Sequence, residues 1–125
     1  MKKAIVAKNG VKPLGPYSPA VLVNDTLYIS GQLGIDPTTG KLLEGIEAQT
    51  NQSLTNIKNL LQEVGMDMNH IVKTTVFLSD INNFAKMNEV YATYFNDVCP
   101  ARSCFEVAKL PSGGLVEIEA IALKD

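Results

Sequence analysis

The chain has 125 residues, of which 46% are hydrophobic and 19% are charged, and its formal net charge at pH 7 is −2. This length is too small for two independent hydrophobic cores, so we expect a single globular domain over residues 1–125. Basic and acidic residues are nearly balanced and form no run of like charge. We expect no nucleic acid as the main partner, because phosphate binding usually needs a concentrated basic face.

The N-terminal apolar run, Ala4 to Ala7, is too short for the core of a signal peptide or for a membrane span. The two cysteines, Cys99 and Cys104, are expected to be free thiols in a reducing compartment rather than a disulfide. His70 is the one histidine, which leaves too few ligands for an ordinary zinc site. We therefore expect a soluble cytoplasmic protein that does not bind a membrane.

The first half of the chain predicts a β-hairpin followed by a helix. Residues 20–30 contain two β-rich runs around Asn24-Asp25, residues that tolerate a tight turn. The segment Gly31-Gln-Leu-Gly34 is expected to break the second strand. From about residue 44 to residue 64, apolar residues at steps of three and four describe one helix face, and Gly65 stands where a C-terminal cap belongs.

The second half predicts a strand, a helix and two further strands. Residues 71–78 form a β-branched and apolar run that is typical of a strand buried on both faces. Asp80 is a candidate N-cap for a helix running to about Phe95. Residues 102–108 and 115–123 are expected to be strands. Four residues of the helix are expected to face inward: Phe84, Met87, Tyr91 and Tyr94.

This order of elements predicts an α+β fold with one mixed β-sheet covered on one face by two helices. The other face of the sheet would then be exposed on a monomer, although several strands contribute apolar residues to it. Self-association through that face is the simplest way to cover it.

Arg102 is the first candidate for a functional residue. Strand alternation places Arg102, Cys104 and Glu106 on one face. A guanidinium held beside a sheet suits a planar carboxylate ligand. The alternative is an ordinary ion pair with Glu117 or Glu119 on a neighbouring strand, and the pattern alone favours that ion pair.

Glu117 and Glu119 lie two residues apart on a strand and therefore face the same way. Such a pair could hold a water molecule or move a proton, but the pattern alone favours a solvated strand face. Cys104 is a weak candidate for a nucleophile, because His70 lies at the far end of another strand.

Asn88 and Tyr17 are two further polar candidates. Asn88 lies on the edge of the apolar stripe of its helix, where its amide needs a partner in the protein or in a ligand. Tyr17 belongs to a loop that two prolines hold in place, so its ring either packs on the sheet or lines a cleft. The residue pattern leaves both choices open.

Seven stretches of the chain follow one another in a fixed order: Gly15–Ala20, Ile29–Gln32, Val72–Phe77, Asn88–Tyr91, Pro100–Cys104, Glu106–Pro111 and Glu117–Ala122. In sequence and in order they resemble the motifs of the RidA (YjgF) family over essentially the whole chain. The turn Ser112-Gly113-Gly114 departs from a more charged turn in many members.

The resemblance implies a chorismate-mutase-like fold assembled as a homotrimer, with ligand clefts between neighbouring subunits. It also implies hydrolytic deamination of reactive enamines and imines, such as 2-aminoacrylate and 2-iminopropionate, to 2-keto acids and ammonia. No cofactor or metal is expected for this reaction.

The resemblance also assigns roles to individual residues. Arg102 would bind the substrate carboxylate, Glu117 would position the attacking water, and Tyr17 would line the cleft. Four further residues match positions that bind the substrate or line its pocket: Ser30, Gly31, Asn88 and Cys104. The same pocket would also serve a protein that binds 2-keto acids, or regulates a partner, without turnover. Ribonuclease activity is a third possibility, which the acidic charge balance disfavours.

Overall fold

The computed structural model describes residues 1–124. The elements are β1 (Lys2–Ile5), β2 (Ala20–Val23), β3 (Thr26–Leu33), β4 (Ile35–Asp36), β5 (Lys41–Leu42), α1 (Ile46–Gln62), β6 (Ile71–Leu78), α2 (Phe84–Ala92), β7 (Ala101–Glu106) and β8 (Val116–Leu123). Six strands form one sheet in the order β1-β2-β3-β8-β6-β7, and β4 and β5 form a separate two-stranded ribbon. The strands of the large sheet are antiparallel except for β6 and β7, which run parallel. The expected α+β fold with one mixed sheet and two helices is confirmed.

The predicted hairpin is formed by β2 and β3, and Asn24 takes a positive φ of 52° in its turn. The expectation that the segment from Gly31 to Gly34 breaks the second strand is wrong. Strand β3 continues to Leu33, and its pairing with β8 shifts register between Ile29 and Gln32. A glycine inside a strand often marks such a bulge, which bends the strand without ending it.

Strand β1 was not predicted, because its lysines hide the alternation that identifies a buried strand. Lys2 and Lys3 are exposed and Ile5 alone is buried. β1 lies at the edge of the sheet. Charged residues are common on edge strands, where they oppose pairing with other chains.

Helix α1 lies close to its predicted position, and Gly65 follows it with a φ of 72°. The second helix differs more. The Asp80 carboxylate caps a short 3-10 turn by accepting a hydrogen bond from the Asn82 amide, and α2 follows that turn and ends at Ala92. Of the residues expected to face inward, Met87 and Tyr91 are buried, Tyr94 is half-buried and Phe84 is exposed.

Both helices pack on the same face of the sheet. Leu54, Ile57 and Leu61 of α1 are fully buried and belong to one core cluster with Val116 and Ile118 of β8. Burial of such aliphatic side chains stabilises the fold by about 1.5–3 kcal/mol each. The sheet therefore has one face in the core and one open face.

The open face carries large apolar side chains at half exposure. Tyr28 is 50% exposed and Phe105 is 47% exposed, and the Phe105 ring meets Phe77 edge-on at 5.4 Å. The prediction that β6 is buried on both faces is wrong for the protomer, since Val72 is exposed and Lys73, Thr75 and Phe77 are only half-buried. Its apolar character is explained if another chain covers the open face.

Candidate active site in two parts

Arg102 lies on the edge strand β7, beside Thr74 of the parallel strand β6, on the face that the helices cover. Its Nη1 atom donates a hydrogen bond of 2.7 Å to the Asn88 Oδ1 atom on α2. The ion pair with Glu117 or Glu119 does not form. Strand β6 separates β7 from β8, and both glutamates lie on the open face.

The Arg102 guanidinium lies over two aromatic rings of α2. Its central carbon lies 4.8 Å from the centre of the Tyr91 ring and 5.5 Å from that of Phe84. Such contacts stabilise a guanidinium by about 0.5–2 kcal/mol and fix its plane. Because the bond to Asn88 uses one of five N–H donors, the others remain free to bind a planar anion. We call this group, formed by Arg102, Asn88, Tyr91 and Phe84, the arginine clamp.

Cys104 lies two residues further along β7 and is half-buried. Burial raises the pKa of its thiol, and the positive charge of Arg102 opposes this only in part. A thiol with a raised pKa is a weak nucleophile at neutral pH. This environment suits a residue that lines a pocket.

A cavity of about 540 Å³ opens on the other face of the sheet. We call it the glutamate cavity, because both Glu117 and Glu119 line it. Burial raises the pKa of the Glu117 carboxyl, and the nearby charge of Glu119 raises it further. Tyr17, Ser30 and Gly31 also line this cavity.

The loop before β2 supplies one wall of the glutamate cavity. The Tyr17 hydroxyl accepts a hydrogen bond of 3.2 Å from the Leu14 amide, which orients the exposed ring along the cavity. The Ser30 hydroxyl donates a bond of 2.7 Å to the Ser18 carbonyl and ties this loop to β3. The sequence left open whether Tyr17 packs on the sheet, and the structure places it at the cavity.

Gly31 allows the Glu117 carboxylate to lie against the backbone of β3. A methyl group at Gly31 would lie 2.8 Å from the Glu117 Cδ atom and 3.0 Å from its Oε2 atom. A side chain at this position would therefore displace the carboxylate. A glycine in a strand often marks such a close approach.

Polar residues on α1 hold β3 where it leaves the sheet. The Ser53 hydroxyl donates to the Gln32 carbonyl, and the Asn56 amide donates to the carbonyls of Leu33 and Ile35. The first two carbonyls belong to the end of β3, where pairing with β8 resumes after the bulge, and the third belongs to β4. These buried bonds fix the floor of the glutamate cavity from the core side.

The seven residues assigned from motifs thus fall into two groups. Arg102, Asn88 and Cys104 gather on the helix-covered side of β7, whereas Tyr17, Ser30, Gly31 and Glu117 gather at the glutamate cavity. The sheet lies between the two groups in one protomer. The contacts of Tyr91 and Phe84 with Arg102 were not predicted from the sequence, although the helical spacing of both residues from Asn88 was a usable signal.

Within residues 1–124, no three His, Cys, Asp or Glu side chains cluster closely enough to hold a metal ion. The same residues contain no helix that is both long enough and apolar enough to cross a membrane.

The fold and its two groups define a small α+β protein with a guanidinium that has free donors and, apart from it, a partly desolvated carboxylate. Comparison with known proteins identifies the family. Residues 7–124 match the family described as Endoribonuclease L-PSP, and the chain belongs to this family, which includes the RidA and YjgF proteins.

Two relatives are similar along nearly their whole length. A RutC family protein of Pyrococcus horikoshii is 51% identical over 126 residues, which cover all of both chains. A protein of Bos taurus named 2-iminobutanoate/2-iminopropanoate deaminase is 49% identical over 125 residues, which cover 99% of this chain and 91% of that protein.

The fold agrees with a solved structure of the conserved Rid protein family, the YyfA protein of Yersinia pestis. The two superpose with a TM-score of 0.95 at 48% identity, covering 99% of this chain and 100% of the other.

Proposed function

We propose that this protein hydrolyses 2-imino acids of the 2-iminopropionate and 2-iminobutanoate type to 2-keto acids and ammonia, in the cytoplasm and without a cofactor. The observation that carries the proposal is the arginine clamp, a guanidinium with free donors and no carboxylate partner among residues 1–124. The deaminase named above, at 49% identity, supports the choice of reaction.

Arg102 binds the carboxylate of the substrate through two parallel hydrogen bonds. A bidentate arginine fixes both the position and the plane of a carboxylate. The imino carbon is attached directly to that carboxylate, so its orientation is fixed as well. Asn88 holds the guanidinium from one side and leaves the opposite edge for the ligand.

Glu117 accepts a proton from the attacking water. The water oxygen forms a bond to the carbon of the protonated imine, the C=N electron pair moves to nitrogen, and a neutral carbinolamine results. The proton held by Glu117 then passes to the amino nitrogen. As the C=O bond forms, the C–N bond breaks, ammonia leaves, and the hydroxyl proton returns to Glu117, which passes it to the ammonia. A raised pKa makes the carboxylate a stronger base, which favours the first of these proton transfers.

A second copy of the chain brings the two groups together. The arginine clamp lies at the exposed edge of the sheet, and the glutamate cavity opens on the face that another chain would cover. A homotrimer in which the clamp of one subunit meets the glutamate cavity of the next would complete three sites by rotation. The half-exposed Tyr28 and Phe105 would be buried in the same assembly.

The test is an assay of 2-keto acid release from 2-aminoacrylate generated in situ. We expect the wild type to accelerate release and Arg102→Ala to abolish the acceleration while the oligomer remains intact. Full activity in Arg102→Ala would refute the assignment. Binding of 2-oxobutanoate without any acceleration would instead support a protein that senses 2-keto acids.

The family description names an endoribonuclease. The net charge of −2 and the absence of a basic run oppose RNA as the ligand, because phosphate contacts need clustered lysine and arginine. The arginine clamp fits a small carboxylate better.

A further inference from the structure

Thr74 lies beside Arg102 on the adjacent parallel strand and is fully buried. The hydroxyl groups of Thr74 and Tyr91 are hydrogen bonded at 2.7 Å. Tyr91 is itself only 6% exposed, and its ring lies 4.8 Å from the guanidinium carbon of Arg102. The three residues therefore form a continuous contact from β6 through α2 to β7.

We propose that Thr74 and Tyr91 are positioning residues, which set the plane of the Arg102 guanidinium and so determine how tightly the protein holds a carboxylate. This inference rests on the proposed function, since it assumes that Arg102 binds the carboxylate.

Contacts of Tyr91 restrict the tilt of the Arg102 guanidinium, and its bond to Asn88 restricts its rotation in its own plane. The bond to Thr74 fixes the far end of the Tyr91 ring, and the Phe95 ring packs against Tyr91 with centroids 4.8 Å apart. A ring held at two places presents one face to Arg102. Asn88 then fixes the in-plane rotation of the guanidinium through its Nη1 atom.

A core role alone does not account for the Thr74 hydroxyl. The position lies in a buried, β-branched strand, where valine has the same shape and needs no hydrogen-bond partner. The hydrogen bond between the two buried hydroxyl groups fixes the orientation of the Tyr91 ring, because hydrogen bonds are directional while apolar contacts are not.

The experiment measures binding of 2-oxobutanoate, the 2-keto acid product, by calorimetry. We expect Thr74→Val and Tyr91→Phe each to raise its Kd about 10-fold, the usual scale for one lost hydrogen bond. The Thr74→Ser variant keeps the hydroxyl, so its Kd should remain within about twofold of the wild-type Kd. In the deamination assay, KM should rise with the Kd while kcat changes little, because ground state and transition state lose the same contact.

Two controls separate positioning from a general loss of stability. Thr50→Val removes another buried hydroxyl, one that donates to the Ile46 carbonyl on α1, and should lower the melting temperature without changing the Kd. Adding Thr74→Val to Arg102→Lys should cause no further loss of affinity, because Thr74 acts through the guanidinium.

A Kd for Thr74→Val equal to that of wild type, with Arg102→Lys weakened, would overturn this inference and leave the proposed function standing. A Kd that is unchanged in Arg102→Lys would overturn both. Normal binding without turnover in the wild type would overturn the proposed reaction and leave the positioning role intact.

Discussion

Gly31→Ala tests the placement of Glu117 with a single methyl group. The added carbon would lie 2.8 Å from the Glu117 Cδ atom. An ordinary contact between these two carbon atoms is about 3.4 Å. The Glu117 carboxyl group must therefore move by at least about 0.6 Å, the difference between 3.4 Å and 2.8 Å. The φ angle of Gly31 is not positive, so alanine fits the backbone itself.

A shift of this size moves the base away from the attacking water. Misplacement of a catalytic group by about 1 Å can reduce a rate about 100-fold, so we expect kcat to fall by about 10- to 100-fold. KM should change by less than about threefold, because the arginine clamp is untouched. Steady-state assays of 2-keto acid release give both constants.

Gly15→Ala is the matched control. It adds a methyl group to the same cavity, but the nearest atoms, on the Tyr17 ring, lie 3.9 Å away. This variant should retain wild-type kcat. A folded Gly31→Ala protein with kcat within twofold of wild type would refute the proposed role of the Glu117 carboxylate.

Three further predictions concern charge. Asn88→Asp should weaken the binding of 2-oxobutanoate, measured by calorimetry, more than Asn88→Ala does. The new carboxylate, 2.7 Å from the Arg102 guanidinium, would pair with it and compete with the ligand. Equal losses of affinity in the two variants would contradict this. Glu119→Gln should shift the acidic limb of the kcat/KM profile to lower pH, since removing a like charge lowers the pKa of Glu117; an unmoved limb would contradict it. Glu117→Gln should raise the melting temperature at pH 7 but not at pH 4. Because folding raises the pKa of Glu117, its ionised carboxylate destabilises the folded protein. This destabilisation appears as the pH rises and vanishes at low pH, where the group is protonated in both the folded and the unfolded protein.

The fold was largely predictable because α1 and β8 have clear apolar periods, while β6 and the hairpin are runs of β-branched and other apolar residues. Sequence patterns failed where a residue serves two structural purposes. Gly31 was interpreted as the end of a strand, yet it lies in a bulge that makes room for Glu117. The lysines of β1 suit an edge strand and thereby conceal it.

The candidate site was predictable residue by residue but not in its arrangement. Strand alternation correctly placed Arg102 and Cys104 on one face of β7. It could not show that β7 pairs with β6 rather than β8, because strand order depends on contacts between distant parts of the chain. For that reason the separation of Arg102 from Glu117 by the sheet became visible only in three dimensions.

The most direct test of the central claim is complementation between two inactive variants. Arg102→Ala and Glu117→Gln would each be assayed alone and after unfolding and refolding as an equal mixture. If each site takes its arginine clamp from one subunit and its glutamate cavity from the next, about one quarter of the sites in randomly mixed rings contain both intact halves. We therefore predict recovery of about one quarter of wild-type activity in the mixture. A mixture no more active than the separate variants would contradict a site shared between subunits.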